Sequence, residues 1–195
     1  MQHSKQPSLE LSKAQIAIEA MRNAKTLEEF EESWKEFLSR LERVWNKGVS
    51  HFCKSPRWNG WKGQFERLRK TDPLLSYLVN ARGAEEHTVN EIVGKEPGGI
   101  GINPAERNSL YIEHMEINNG NIFIKSPQKI KIDFMPARTT LLPITNRGRT
   151  YPVPSTHLGN AVDPMNVIAI AEAGAQFYEK FLSQAEKFFV KNKSP

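Results

Sequence analysis

One cysteine, Cys53, is all the thiol chemistry in this chain. A lone cysteine rules out an internal disulfide and suits a reducing interior. Set in His51-Phe52-Cys53-Lys54, it reads as an inert packing residue rather than a nucleophile. Long apolar runs are also missing. No stretch approaches the ~20 apolar residues of a membrane helix, and the polar start Met1 to Pro7 has no apolar run after its basic residue, so it is not a signal peptide. These absences predict a cytoplasmic protein with no membrane partner. The five histidines show no close pairing and none joins a Cys or carboxylate at zinc-motif spacing, so no metal site is expected. Gly98-Gly99-Ile100-Gly101 lacks both a Lys-Ser or Lys-Thr ending and a preceding strand, so it reads as a hinge rather than a phosphate loop, and no cofactor is expected. There is no internal repeat and no low-complexity segment.

What is present suffices for a folded core. The 38% hydrophobic content is somewhat low, but four Trp and ten Phe supply large apolar groups, which excludes a disordered chain. A length of 195 residues suits one domain, 1–195, with an elaboration. The net charge of +5 permits an anionic partner such as nucleic acid without requiring one, because Lys and Arg are spread along the chain.

Helical spacing dominates the first half. Leu11, Ala14, Ile18 and Met21 predict a first helix of about four turns with Ser8 as its cap. Thr26-Leu27-Glu28-Glu29 has capping-box form, and Phe30, Trp34, Phe37, Leu41 and Val44 follow at three-four spacing. Pro56, Asn59 and Gly60 break that pattern before a short helix over 61–69. Asp72 and Pro73 then suit the cap and first position of a third long helix reaching Val93. Gly94 to Gly101 ends it. Asn118-Asn119-Gly120 marks a hairpin between 110–117 and 121–125. Residues 129–134 alternate as a half-buried strand should, and 139–144 suggest a short edge strand. Asp163-Pro164 is read as the opening of a last helix with a wide apolar face from Val167 to Phe189, within which Gly174 allows close helix approach. The fold expected is mainly α: an up-and-down helical bundle, 9–93 and 160–190, with a small antiparallel β insertion at about 100–150 before the last helix.

One stretch breaks the helical pattern. In Asn80-Ala81-Arg82-Gly83-Ala84-Glu85-Glu86-His87, Arg82 falls near the middle of an apolar stripe, with Glu85 and Glu86 flanking it, and burying unpaired charge is costly. Arg82 and His87 form an Arg-x4-His element on this helix. Here the chain resembles the HEPN superfamily, helical bundles whose ribonuclease members carry Arg-x4-6-His on a late core helix. The resemblance covers roughly 9–93 and 163–190. A second spacing match, Arg107 with His114, falls on loop and strand, outside that helical context. Active members commonly have a polar residue after the arginine, whereas this chain has Gly83.

The resemblance implies metal-independent RNA cleavage, in which a ribose 2′-hydroxyl attacks the adjacent phosphate. His87 suits the proton transfer because imidazole titrates near neutral pH. Arg82 suits the charge developing on the phosphoryl oxygens. Five residues of straight helix separate the two side chains by about 140°. Either Gly83 bends the helix or, as the family implies, two protomers pair to line one cleft. The wide apolar face of the last helix also suggests a homodimer. Trp58 and Trp61 beside Lys54 and Arg57, and the basic loop Arg147-Gly148-Arg149, are the further RNA-binding candidates. The rival reading is a noncatalytic helical module that binds a protein partner, such as an antitoxin. Under it, Arg82 with Glu86 and His87 with Glu91 are helical ion pairs at i,i+4 spacing.

Overall fold

The computed structural model describes residues 5–87, 92–106, 108–135 and 137–190. Five helices stand among the described residues: α1 (Lys5–Asn23), α2 (Leu27–Phe52), α3 (Trp58–Thr71), α4 (Pro73–His87) and α5 (Val167–Phe189). Local chemistry explains their starts. Thr26 Oγ1 accepts from the Glu29 amide at 3.1 Å, while the Glu29 carboxylate accepts from the Lys25 amide at 2.7 Å, one residue earlier than a standard capping box. Asp72 Oδ1 accepts from the Leu75 amide at 3.0 Å, with Pro73 in the first helical position. Two helix starts differ in their capping from expectation. α1 already includes Ser8, which is therefore not its cap. α5 opens at Val167, three residues after Pro164, because Asn166 Oδ1 accepts from the Ala169 amide at 2.9 Å; Asp163 instead closes a local turn onto the Met165 amide.

Between α4 and α5 lie β1 (Val93–Glu96), β2 (Gly99–Pro104), β3 (His114–Asn118), β4 (Asn121–Lys125), β5 (Ile130–Met135), β6 (Arg138–Leu141), β7 (Ile144–Asn146), β8 (Arg149–Tyr151), β9 (Thr156–His157) and β10 (Asn160–Ala161). They form five separate two-stranded pairs: β1 with β6, β2 with β5, β3 with β4, β7 with β8, and β9 with β10. The expected up-and-down bundle with one small insertion is therefore corrected to a mixed arrangement of helices and small antiparallel strand pairs. Val93, expected to end a helix, starts β1, and the strands run on to Ala161. The hairpin turn falls where the sequence puts it, with Asn119 at φ 48° and Gly120 at φ 81°.

The chain divides into two compact units, residues 1–94 with 139–195, and residues 95–138. The first holds the core. Trp34, Phe37, Val44, Phe52, Leu74 and Phe181 have no exposed surface, and Trp45 lies 4.9 Å from Phe181 between ring centroids. A β-carbon on Gly174 would stand 2.5 Å from Leu78 Cδ1, and one on Gly48 would stand 2.8 Å from Phe181, so two glycines set how closely α5 approaches α4 and α2. Two polar ties lock the helices. Buried Glu10 accepts from Arg40 at 2.6 Å and Lys47 at 2.5 Å, joining α1 to α2. Arg69 of α3 pairs with Glu42, donates to the Tyr178 hydroxyl at 3.0 Å, and lies 4.3 Å over the Trp45 ring. The apolar face of α5 is buried within this unit, with Phe188 its exposed member. It offers no open surface of the breadth that the homodimer argument requires.

The second unit, residues 95–138, consists chiefly of the β2–β5 and β3–β4 ladders. None of its described residues is buried.

Candidate functional site

α4 is the innermost carrier of the candidate residues. Leu74, Leu75, Tyr77, Leu78, Ala81 and Ala84 are buried on it, so its polar positions are set by the packing of the whole helix. The Tyr77 hydroxyl donates to the Leu142 carbonyl at 2.7 Å, and burial raises its pKa well above the usual phenol value. Arg82 is half-buried. It lines a narrow recess with Leu38, Leu41, Glu42, Leu78, Val79 and Tyr178, about 10 Å³ in volume and so no roomier than one water. The lining is thus apolar apart from a carboxylate and a phenol, and that carboxylate is the one Arg69 already holds. Burial also raises the Tyr178 pKa. His87 is the last residue of α4. Its side chain, those of Glu85 and Glu86, and residue Glu91 lie outside the described residues, and so do the Arg82–Glu86 and His87–Glu91 pairings.

Gly83 has a packing explanation. A β-carbon there would stand 2.6 Å from Asn146 Nδ2, and that amide donates to Asn80 Oδ1 at 3.0 Å. Asn80 in turn donates to the Ser76 carbonyl at 2.8 Å. The β7–β8 hairpin is therefore seated against α4 at the turn carrying Arg82 and Gly83. Its tip, Arg147 at φ 51° and Gly148 at φ 75°, is a tight turn of the same hand as Asn119-Gly120. Arg147 and Arg149 are exposed, and the Arg149 guanidinium lies 5.2 Å from the Tyr151 ring centroid. Arg82 and the Arg147-Arg149 loop are far apart in the sequence; the Asn80–Asn146 contact seats the hairpin on the Asn80 and Gly83 side of this turn of α4, while Arg82 is directed to the recess against α2 and α5.

The tryptophans lie elsewhere in the helical unit. Trp58 is 1% exposed and stacks on Phe52 at 5.5 Å and Trp61 at 5.3 Å, so the expectation that it offers a ring face to a nucleotide does not fit its burial. Trp61 is partly exposed and packs on Phe65, Phe181 and Phe189. Cys53 is exposed, its thiol directed at the Ser50 carbonyl. Arg107 of the second spacing match lies outside the described residues, and His114 is exposed on β3.

Sequence reading missed one constellation. His157 Nδ1 lies 2.9 Å from Asp72 Oδ1, and the Leu158 amide donates to Asp72 Oδ2 at 2.7 Å. The carboxylate is 3% exposed and the imidazole 14%. Asp72 was legible as a cap; its partner 85 residues away carried no local signal. Among the described residues no three His, Cys, Asp or Glu side chains group as metal ligands, and no helix is long and apolar enough to cross a membrane. No protein-family model matches the chain, and neither the curated proteins nor the solved structures give a match.

Proposed function

We propose that the helices are an HEPN-like scaffold and that the protein binds, and with His87 cleaves, RNA at the corner formed by the end of α4 and the β7–β8 hairpin. One observation carries the reading: the Asn80–Asn146 bond and the Gly83 contact hold a tight basic turn, Arg147-Gly148-Arg149, beside the turn of α4 that bears Arg82. Arginines on a rigid turn meet phosphate oxygens with little ordering cost. Arg82 would bear on the phosphoryl charge and His87 would move the proton, with no metal required. The test is purified protein with mixed RNA in a chelator. Cleavage should fall by ~10²–10³ in Arg82→Ala and in His87→Ala, with unchanged circular dichroism. Binding without cleavage should weaken in the Arg147→Ala/Arg149→Ala double variant.

A second reading has its own observation. The recess beside Arg82 is narrow, mostly apolar and shared with Glu42 and Tyr178, as suits a residue that fixes helix packing in a noncatalytic interaction module. Under it, wild-type protein leaves RNA uncut, and Arg82→Ala lowers the melting temperature.

A further inference from the structure

The arm formed by residues 95–138 carries two apolar faces that the described chain leaves open. Directly paired strand residues share a face, and faces alternate along a strand. The β2–β5 register pairs Ile100 with Phe134, Ile102 with Ile132 and Pro104 with Ile130, so one side of that ladder is wholly apolar. The β3–β4 register pairs Met115 with Ile124 and Ile117 with Ile122, with the same result. The opposite sides are mainly polar, with Asn103, Lys131 and Asp133 beside Met135 on one ladder, and His114, Lys125 and Glu116 beside Phe123 on the other. This is the alternation of a sheet written to be covered on one side. Yet Phe134 is 76% exposed and Ile117 65%.

Area and charge both bear on what covers these faces. Their six most exposed residues together leave roughly 600 Å² open over the two ladders, at the top of the range for a monomer's largest apolar patch and approaching the ~800 Å² per partner of a standard stable interface. The arm has six basic and five acidic residues, so it holds little of the chain's net charge of +5. Four of its five carboxylates are met locally by a cation: Glu96 by Arg138 at 2.5 Å, Glu106 by Lys129 at 2.7 Å, Glu113 by Lys125 at 2.9 Å and Asp133 by Lys131 at 2.9 Å. A near-neutral surface with most charges paired has little field to draw nucleic acid and little to repel its own copy. Isoleucine-rich ladders of this kind can stack face to face about a two-fold axis, as the two sheets of a sandwich do.

We propose that the apolar faces of β2–β5 and β3–β4 are a homodimer interface, occupied by the same faces of a second copy of this chain. The interface is the arm and not α5, and it does not depend on the RNA reading. Sedimentation velocity on the full chain from 1 to 50 µM should show a dimer. Phe134→Asp with Ile117→Lys should weaken it about a hundredfold or more, while the helical circular dichroism and the main melting transition stay in place. Phe123→Asp, on the polar side of the same hairpin and 61% exposed, is the control that should remain dimeric. A monomeric wild type overturns the proposal, including the case in which the arm captures a different protein. So does a dimer that survives the double variant, or one that Phe123→Asp dissolves equally well.

Discussion

The helical unit and the arm are made of similar residues put to opposite use. Phe181 on α5 and Phe134 on β5 are the same side chain, yet one has no exposed surface and the other keeps three quarters of it. The difference is the number of layers. α2, α3 and α5 enclose an aromatic cluster in which Trp45, Phe65 and Phe181 touch one another's neighbours. Each arm ladder has two strands, and among the described residues its apolar side is at most half-buried; a lone two-stranded ribbon is marginal in water. The hydrophobic pattern of a strand records that it expects cover; only its surroundings determine whether the cover comes from its own chain.

The largest test of that contrast is a pair of truncations. Phe181→Ala should cost about 3–5 kcal/mol in urea unfolding, because it opens a cavity in a close-packed cluster. Phe134→Ala, measured on monomer, should change stability by about 0.5 kcal/mol or less, since an exposed ring loses little on removal. Equal losses would erase the distinction between the two regions.

Next in size is backbone approach. Gly174→Ala should cost about 1–3 kcal/mol, because the new methyl would meet Leu78 at 2.5 Å. Chemical denaturation gives the number, and a Leu78→Ala background should recover part of it.

Charge sharpens the comparison further. The hydrogen bond from Lys47, with that from Arg40, holds the Glu10 carboxyl down at about 2, against 4.5 for the ordinary group, despite the opposing effect of burial. A depressed folded-state pKa stabilises above the unfolded value and loses that contribution as pH falls through the folded value. Glu10→Gln should therefore cost about 1–2 kcal/mol at pH 7, with the difference from wild type shrinking between pH 4.5 and about 2. The arm's Lys129–Glu106 pair, 78% and 66% exposed, should give about 0–1 kcal/mol in a double-mutant cycle.

The smallest expected effects differ in sign. Gly60 lies inside α3 with open space where a β-carbon would go, so Gly60→Ala should stabilise by up to about 1 kcal/mol. Gly120, at φ 81° in the arm's turn, also has open space, but Gly120→Ala should destabilise the β3–β4 hairpin by about 1 kcal/mol through backbone strain. Hairpin amide shifts and the main unfolding transition separate the two.

Features set within a few residues were legible in the sequence. Thr26 with Glu29, Asp72 with Pro73, and Asn119-Gly120 state their geometry locally; the last two form as expected, and the first does so with Glu29 shifted to the Lys25 amide. Gly174 was legible because small residues on a broad apolar helix face have few other uses. Long-range contacts were not. Asn166 and Asp163 are both competent caps, and tertiary context decides for Asn166. Gly83 invited a reading as a bend in α4, whereas its constraint comes from Asn146 on a distant strand. Of the candidate site, Arg82, Arg147 and Arg149 were legible as basic groups, but nothing local could show that Asn146 seats the hairpin carrying the last two against Asn80 and Gly83 of α4. Trp58 and Trp61 had the composition of a stacking surface, and only burial shows Trp58 to be core.

Asp72 makes one carboxylate serve two parts of the chain. One oxygen caps α4 and meets His157; the other holds the Leu158 amide in a turn where Leu158 sits at φ 49°, a region costly for a branched side chain. β9 and β10 have two residues each, too few to hold that turn alone. The Leu158 amide is thus tied to the first turn of α4, and its exchange with solvent deuterium should track that of the Leu75 amide rather than that of a surface loop. An exposed two-residue turn would then report, by its exchange rate, on the opening of a buried helix start.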